Sequence, residues 1–411
     1  MAVYGGRHNP RTMTSSTDRT ATDRSDGRLG SRRLGRAMLT AVLLVAGLGS
    51  MPVASAHGGT VTVNGFRLEQ WFGLVPLVVG LGIVVASQYL HRLRPAAARY
   101  RLHGTIVGLV VGIFGAIWIV QLSPYEWLTA QPIVPRAIHA PLMLLVGGGI
   151  MLASVLVGQF RWSRQPRFAG LGVLLGLWVA YPGLSAFGLY TETNSLGYLI
   201  VLGLVVGLGY VLYRDAGGLI RQLLADRTAR RFGIAVGGLS VLFFAFSSGM
   251  LYLIPDDGTG VSLSEQIVSV LPVADPLVMW PAVEFWYPDV PIGGVVSVGT
   301  VLLVTLFGTL IGLNAALFAF QSGSGTSQTG AGIAGIAAPQ ACCCCGPALS
   351  QIAVVVLGPS AGAPIYLLFG DPSSSIGSLF FVASVAVLTG LLVRATDRPD
   401  EPQPEPATAP A

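Results

Sequence analysis

The sequence predicts an all-α polytopic integral membrane protein, and three observations predict it. Charged residues make up 10% of the chain, where a soluble domain carries about 25%. Mean hydropathy is +0.68, too high for a chain that must cover itself with water-facing side chains. The apolar residues fall in long runs, and about 20 of them cross a bilayer as a helix.

The chain opens on residues 1–31, rich in Ser, Thr, Arg and Gly and without apolar periodicity. This composition predicts a disordered cytoplasmic tail. Residues 32–56 follow with a basic start (Arg32, Arg33, Arg36), an apolar core from Ala37, and Ala54-Ser55-Ala56 at the end. Those are the three parts of a secretory signal peptide. The competing reading is a retained first transmembrane helix.

Residues 57–394 form the expected helical membrane domain. Nine spans are expected after the signal, or ten transmembrane helices if it is uncleaved. They lie near 70–90, 103–122, 137–158, 168–188, 195–213, 232–254, 292–320, 347–369 and 376–393. Gly358-Pro359 and Pro364 interrupt the eighth. The last residues, 395–411, are Pro-rich and acidic and predict a disordered tail.

Arginine sets the orientation. All 24 basic residues are Arg, and only Arg67 and Arg136 fall in the loops predicted to lie outside. The others sit in both chain ends and in three loops: Arg92 to Arg101, Arg161 to Arg167, and Arg214 to Arg231. The positive-inside rule puts those loops in the cytoplasm. A cell-membrane protein with its mature N-terminus outside and its C-terminus cytoplasmic is expected. The net charge of +5 therefore reports topology, and no nucleic-acid partner is expected.

The stretch from Pro255 to Pro291 is the largest outer loop. It carries Asp256, Asp257, Glu265, Asp275, Glu284 and Asp289 and no Arg. It reads as a solvated loop or a cation-attracting vestibule. Its aromatic segment Trp280 to Tyr287 reads as an interface anchor.

No Asp, Glu or Arg falls well inside an expected span. That counts against a proton pump built on carboxylate relays and against an enzyme with acid–base chemistry at mid-membrane. No Walker motif is present, so the chain carries no ATPase of its own. Gln88, Gln121, Tyr181, Ser185, Ser247, Ser248 and Asn314 read as helix–helix ties, and the 54 Gly as close-approach points. His103 and His139 fall at opposite membrane faces and cannot pair around a haem.

Two positions suggest metal chemistry. Cleavage after Ala56 would leave His57 as residue one, where its amine and imidazole could grip one copper ion. Nitrogen donors of that kind suit Cu(II). The plain alternative is an ordinary exposed His. The second position is QACCCCGPAL, which holds every cysteine of the chain, Cys342 to Cys345. By the topology these thiols sit at the cytoplasmic face, where structural disulfides are disfavoured. There is no CxxC spacing for a zinc knuckle. Pro347 suits the first turn of a helix, which would place the thiols at a helix N-terminus and favour thiolates. Thiolates select Cu(I) and similar soft ions. The plain alternative is a run of small packing residues.

CCCCGP resembles the vicinal Cys pair followed by Gly-Pro of the small mercuric-ion transport proteins. The resemblance covers about 30 residues around the run. It implies that Cys343 and Cys344 pass an ion. Three functions follow as expectations. The first is a transporter or permease-like protein for a soft metal cation, such as Cu(I), with Cys342 to Cys345 at its inner face. The second is a membrane thiol sensor or redox protein with a cytoplasmic thiol protein as partner. The third is a non-catalytic scaffold or assembly subunit. The lipid bilayer is a partner in all three.

Overall fold

A computed structural model gives the architecture. It describes residues 61–63, 66–93, 100–122, 136–160, 166–187, 195–253, 267–271, 281–287, 292–323, 352, 355 and 375–396. The chain divides into two units, Met1–Val53 and Ala54–Ala411, and every described residue belongs to the second.

A short hairpin, β1 (Val61–Val63) and β2 (Phe66–Leu68), and a 3-10 turn (Gln70–Gly73) lead into α1 (Leu74–Leu93). Then come α2 (Arg101–Gln121), α3 (Arg136–Phe160), α4 (Pro166–Ala180), α5 (Ser195–Asp215), the short α6 (Gly217–Ala225) and α7 (Arg227–Ser247). Four strands follow: β3 (Leu251–Leu253), β4 (Ile267–Leu271), β5 (Ala282–Tyr287) and β6 (Ile292–Ser297). Helices α8 (Val298–Gly323) and α9 (Ser375–Thr396) complete the described chain.

Among the described residues, eight helices are long and apolar enough to cross a membrane. They match eight of the nine expected spans, and the protein is an all-α polytopic membrane protein. The remaining expected span, 347–369, lies outside the described residues apart from 352 and 355. So do the signal segment, the first tail and residues 397–411, whereas residues 395 and 396, expected in the second tail, continue the last helix, which ends at Thr396.

Three antiparallel hairpins build the bundle, each closed on glycine. Helices α1 and α2 approach until a Cβ on Gly80 would stand 2.3 Å from the Gly112 nitrogen. In α3 and α4, a Cβ on Gly147 would stand 2.6 Å from the Gly176 carbonyl oxygen. Helices α7 and α8 each carry a GxxxG, and Gly233 and Gly237 face Gly312 and Gly308. Water does not drive helices together inside lipid, so close backbone packing must do so. Small residues at these seams permit it.

Helix α4 ends at Ala180, and a 3-10 turn (Tyr181–Phe187) follows. Pro182 lacks the N–H that would continue the α ladder, which explains the change of helix type.

Helices α8 and α9 run parallel. Phe307 of α8 packs on Phe381 of α9 with centroids 5.2 Å apart, and further along Asn314 reaches Leu388. Trp178 of α4 stacks on Phe381 at 4.3 Å, and Phe244 of α7 meets Phe307 edge-on at 5.9 Å. This aromatic chain ties four helices into one core.

The strands after α7 form an antiparallel sheet of order β3-β6-β5-β4. The sequence pattern predicts a loop over 255–291, with one span reaching 254 and another starting at 292. The structure differs for local reasons. Gly249 takes φ 74, the left-handed conformation that ends a helix. At the other flank, Gly293 and Gly294 disfavour helix, and Ser297 starts α8 as its cap. The Ser297 Oγ accepts from the Thr300 N–H at 3.1 Å, and the Thr300 Oγ1 accepts from the Ser297 N–H at 3.1 Å. That is a reciprocal capping box with Thr in place of the usual Glu. The two glycines seat aromatic rings from neighbouring strands. A Cβ on Gly293 would meet Tyr252 at 2.5 Å, and one on Gly294 would meet Phe285 at 2.5 Å. Phe285, Trp286 and Tyr287 of the expected anchor segment thus lie in β5.

Candidate functional site

The bundle has two chemically different ends. At the sheet end, Gln70 donates to the Ile119 carbonyl at 2.7 Å, and Gln121 to the Phe246 carbonyl at 2.8 Å. The latter bond ties the end of α2 to the end of α7. Glu284 of β5 accepts from Ser269 of β4 at 3.3 Å. It is the one described residue among the six acids of that region.

The opposite end collects arginine. It holds the starts of α2, α4 and α7, the ends of α1, α5, α8 and α9, and the short α6. Arg167 opens α4 and pairs with Asp215, which closes α5. The Arg167 Nε donates to Asp215 Oδ2 at 2.6 Å, and its Nη2 donates to Oδ1. This is the one ion pair among the described residues. Arg101 at the start of α2 lies 5.1 Å from the Phe318 ring centroid near the end of α8. The Arg-rich loops expected to share one membrane face therefore flank the same end of the bundle.

Just inside that end is a buried polar cluster. Gln88 of α1 donates to Thr105 Oγ1 of α2 at 2.6 Å, and Ser87 Oγ lies 3.1 Å from the same oxygen. Thr105 in turn donates to the Arg101 carbonyl at 2.9 Å. The Gln88 Oε1 is buried and has no hydrogen-bond partner among the described residues. In α8, Asn314 donates to its own turn at Leu310 and across to the Leu388 carbonyl of α9 at 3.2 Å. Gln88, Gln121 and Asn314 are thus helix–helix ties, as expected from the sequence.

No Asp, Glu or Arg lies in the middle of the eight described spans. Among the described residues no group of three or more His, Cys, Asp or Glu could hold a metal. His103 is exposed at the arginine end and His139 is half-buried at the start of α3, at the sheet end, so the two are far apart as expected. His91 closes α1, and its side chain lies outside the described set.

The predicted metal ligands, Cys342, Cys343, Cys344, Cys345 and His57, all lie outside the described residues. What the structure positions is their frame. The cysteines fall between Gly323, the arginine end of α8, and Ser375, the sheet end of α9. Sequence reasoning missed the Arg167–Asp215 pair. Its only signal was a single acid, Asp215, at the close of an apolar run. No known family, curated protein or solved structure matches this chain.

Proposed function

We propose that the protein is a permease-like carrier of a soft metal cation such as Cu(I), with Cys342 to Cys345 as the ion-handling site. One observation carries the reading. Helices α8 and α9 run parallel, so the chain between them must return across the membrane an odd number of times. The apolar run 347–369 is the span expected from the sequence in that interval, and every cysteine stands just before it. On this reading a single crossing there would begin at the end of the bundle where α8 finishes. By the positive-inside rule that end is cytoplasmic, with the mature N-terminus outside and the C-terminus inside. Thiolates there would meet a reducing compartment, which favours metal exchange over disulfides.

A Cys-to-Ser series on the full chain tests this, read by Cu(I) and Hg(II) binding and by metal uptake in cells. If ions pass along vicinal thiolates, Cys343→Ser and Cys344→Ser each abolish binding and Cys342→Ser weakens it. If a helical pair is the site, Cys342→Ser and Cys345→Ser are the severe changes. Unchanged binding and uptake in the quadruple Ser variant overturns the reading. Thiol oxidation that tracks redox state without metal flux would select the sensor instead.

A further inference from the structure

The segment from the end of α5 through α6 to the start of α7 places five arginines on the surface: Arg214, Arg221, Arg227, Arg230 and Arg231. None forms an ion pair among the described residues. The two acids nearby are already engaged. Asp215 holds Arg167, and Asp226 caps α7 by accepting the Ala229 N–H at 2.6 Å. Arg227, Arg230 and Arg231 crowd the N-terminal turns of α7, where the helix dipole is already positive. Local helix energetics disfavour that placement, and an anion at this end would offset it.

Helix α6 defines the depth of the patch. It is a nine-residue helix between two membrane spans. Leu223 is fully buried against the bundle, while Leu224 is 48% exposed and Arg221 and Gln222 face outward. A short amphipathic helix of this kind lies along the membrane interface, where headgroups are. Tyr210 and Tyr213 at the end of α5 are 53% and 68% exposed, in the manner of interfacial aromatics.

We infer that the segment Arg214 to Arg231 is a binding site for the phosphate headgroups of anionic phospholipids, with acyl chains against the exposed apolar side chains beside it. Clusters of four to eight basic residues on an amphipathic helix at a span bind such lipids, and the guanidinium fork matches phosphate oxygens two at a time. Nucleic acid would also see positive charge, but a site at headgroup depth with exposed Leu224 favours a lipid. The inference stands apart from the carrier reading and does not depend on which face is cytoplasmic.

Native mass spectrometry of the full chain in detergent, titrated with phosphatidylglycerol or phosphatidylcholine, tests it. The expected result is at least tenfold tighter binding of phosphatidylglycerol, weakening as salt rises. The variant R227Q/R230Q/R231Q should lose about fivefold per arginine, and R227K/R230K/R231K should keep most of the preference. Equal binding of the two lipids by the native chain overturns the proposal and needs no variant. So does full displacement of phosphatidylglycerol by an equal concentration of inorganic phosphate, which would mark a free-anion site. Tighter binding of a short single-stranded RNA than of phosphatidylglycerol overturns it as well.

Discussion

Asp215 shows how one side chain can join two helices at a membrane edge. Its carboxylate is largely buried and takes two hydrogen bonds from Arg167, 48 residues away. A charge there is tolerable because its partner is fixed and adjacent. Removing one member leaves the other poorly solvated, which costs more than the pair itself is worth. Asp215→Asn should therefore destabilise the protein by about 2 kcal/mol, measured by equilibrium unfolding in mixed micelles. Arg167→Gln should do the same. The double variant should lose no more than the worse single change, a coupling of about 1–3 kcal/mol. Additive losses would show that the two groups act independently. From sequence, Asp215 marked only the end of a span. Nothing local tells an acid which of many arginines it will meet.

At the scale of elements, the glycines divide into two kinds that look alike in sequence. Gly80 and Gly82 are two residues apart on α1. A Cβ on Gly80 would collide with the backbone of α2, while one on Gly82 meets nothing within 4 Å. Backbone cannot swing aside as a side-chain tip can. Gly80→Ala should destabilise the hairpin by about 2 kcal/mol through overpacking. Gly82→Ala should be neutral or stabilise by up to about 1 kcal/mol, since Ala is the better helix former. Thermal unfolding of the two variants should shift in opposite directions. Equal shifts would mean that α1 and α2 do not meet as described. The richness in small residues was legible in the chain, and so was its use for close helix approach. Which glycines face a neighbour depends on helix rotation, and these helices are apolar nearly all round, so periodicity could not choose. The same limit explains the four-stranded sheet. Val295-Val296 run on into the apolar stretch of α8, where only the Gly293-Gly294 pair and the Ser297 cap divide strand from helix, as Gly249 does after α7.

For the molecule as a whole, the arrangement of ends makes a topological prediction. In a background with Cys342 to Cys345 replaced by Ser, single cysteines at Pro281 and Arg221 should react with a membrane-impermeant maleimide from opposite sides. Pro281, just before β5, is at the sheet end, and Arg221 is on α6; both are exposed. The orientation proposed above expects Pro281→Cys to label from outside and Arg221→Cys from inside. The reverse pattern would invert the topology, and labelling of both from one side would contradict the bundle itself.

The chain determined by itself that it lives in a membrane, that eight of its described helices are long and apolar enough to cross it, and which Arg-rich loops flank one end of the bundle. Those properties follow from transfer free energies and charge placement, which act residue by residue and need no neighbours. Tertiary structure alone decided the pairing of helices, the parallel course of α8 and α9, the partner of Asp215 and the sheet beyond α7. Each rests on which surfaces meet, and in a bundle coated by lipid the sequence pattern carries little trace of that choice. The parallel course of α8 and α9 requires the intervening chain to return across the membrane, and that requirement motivates the proposed function.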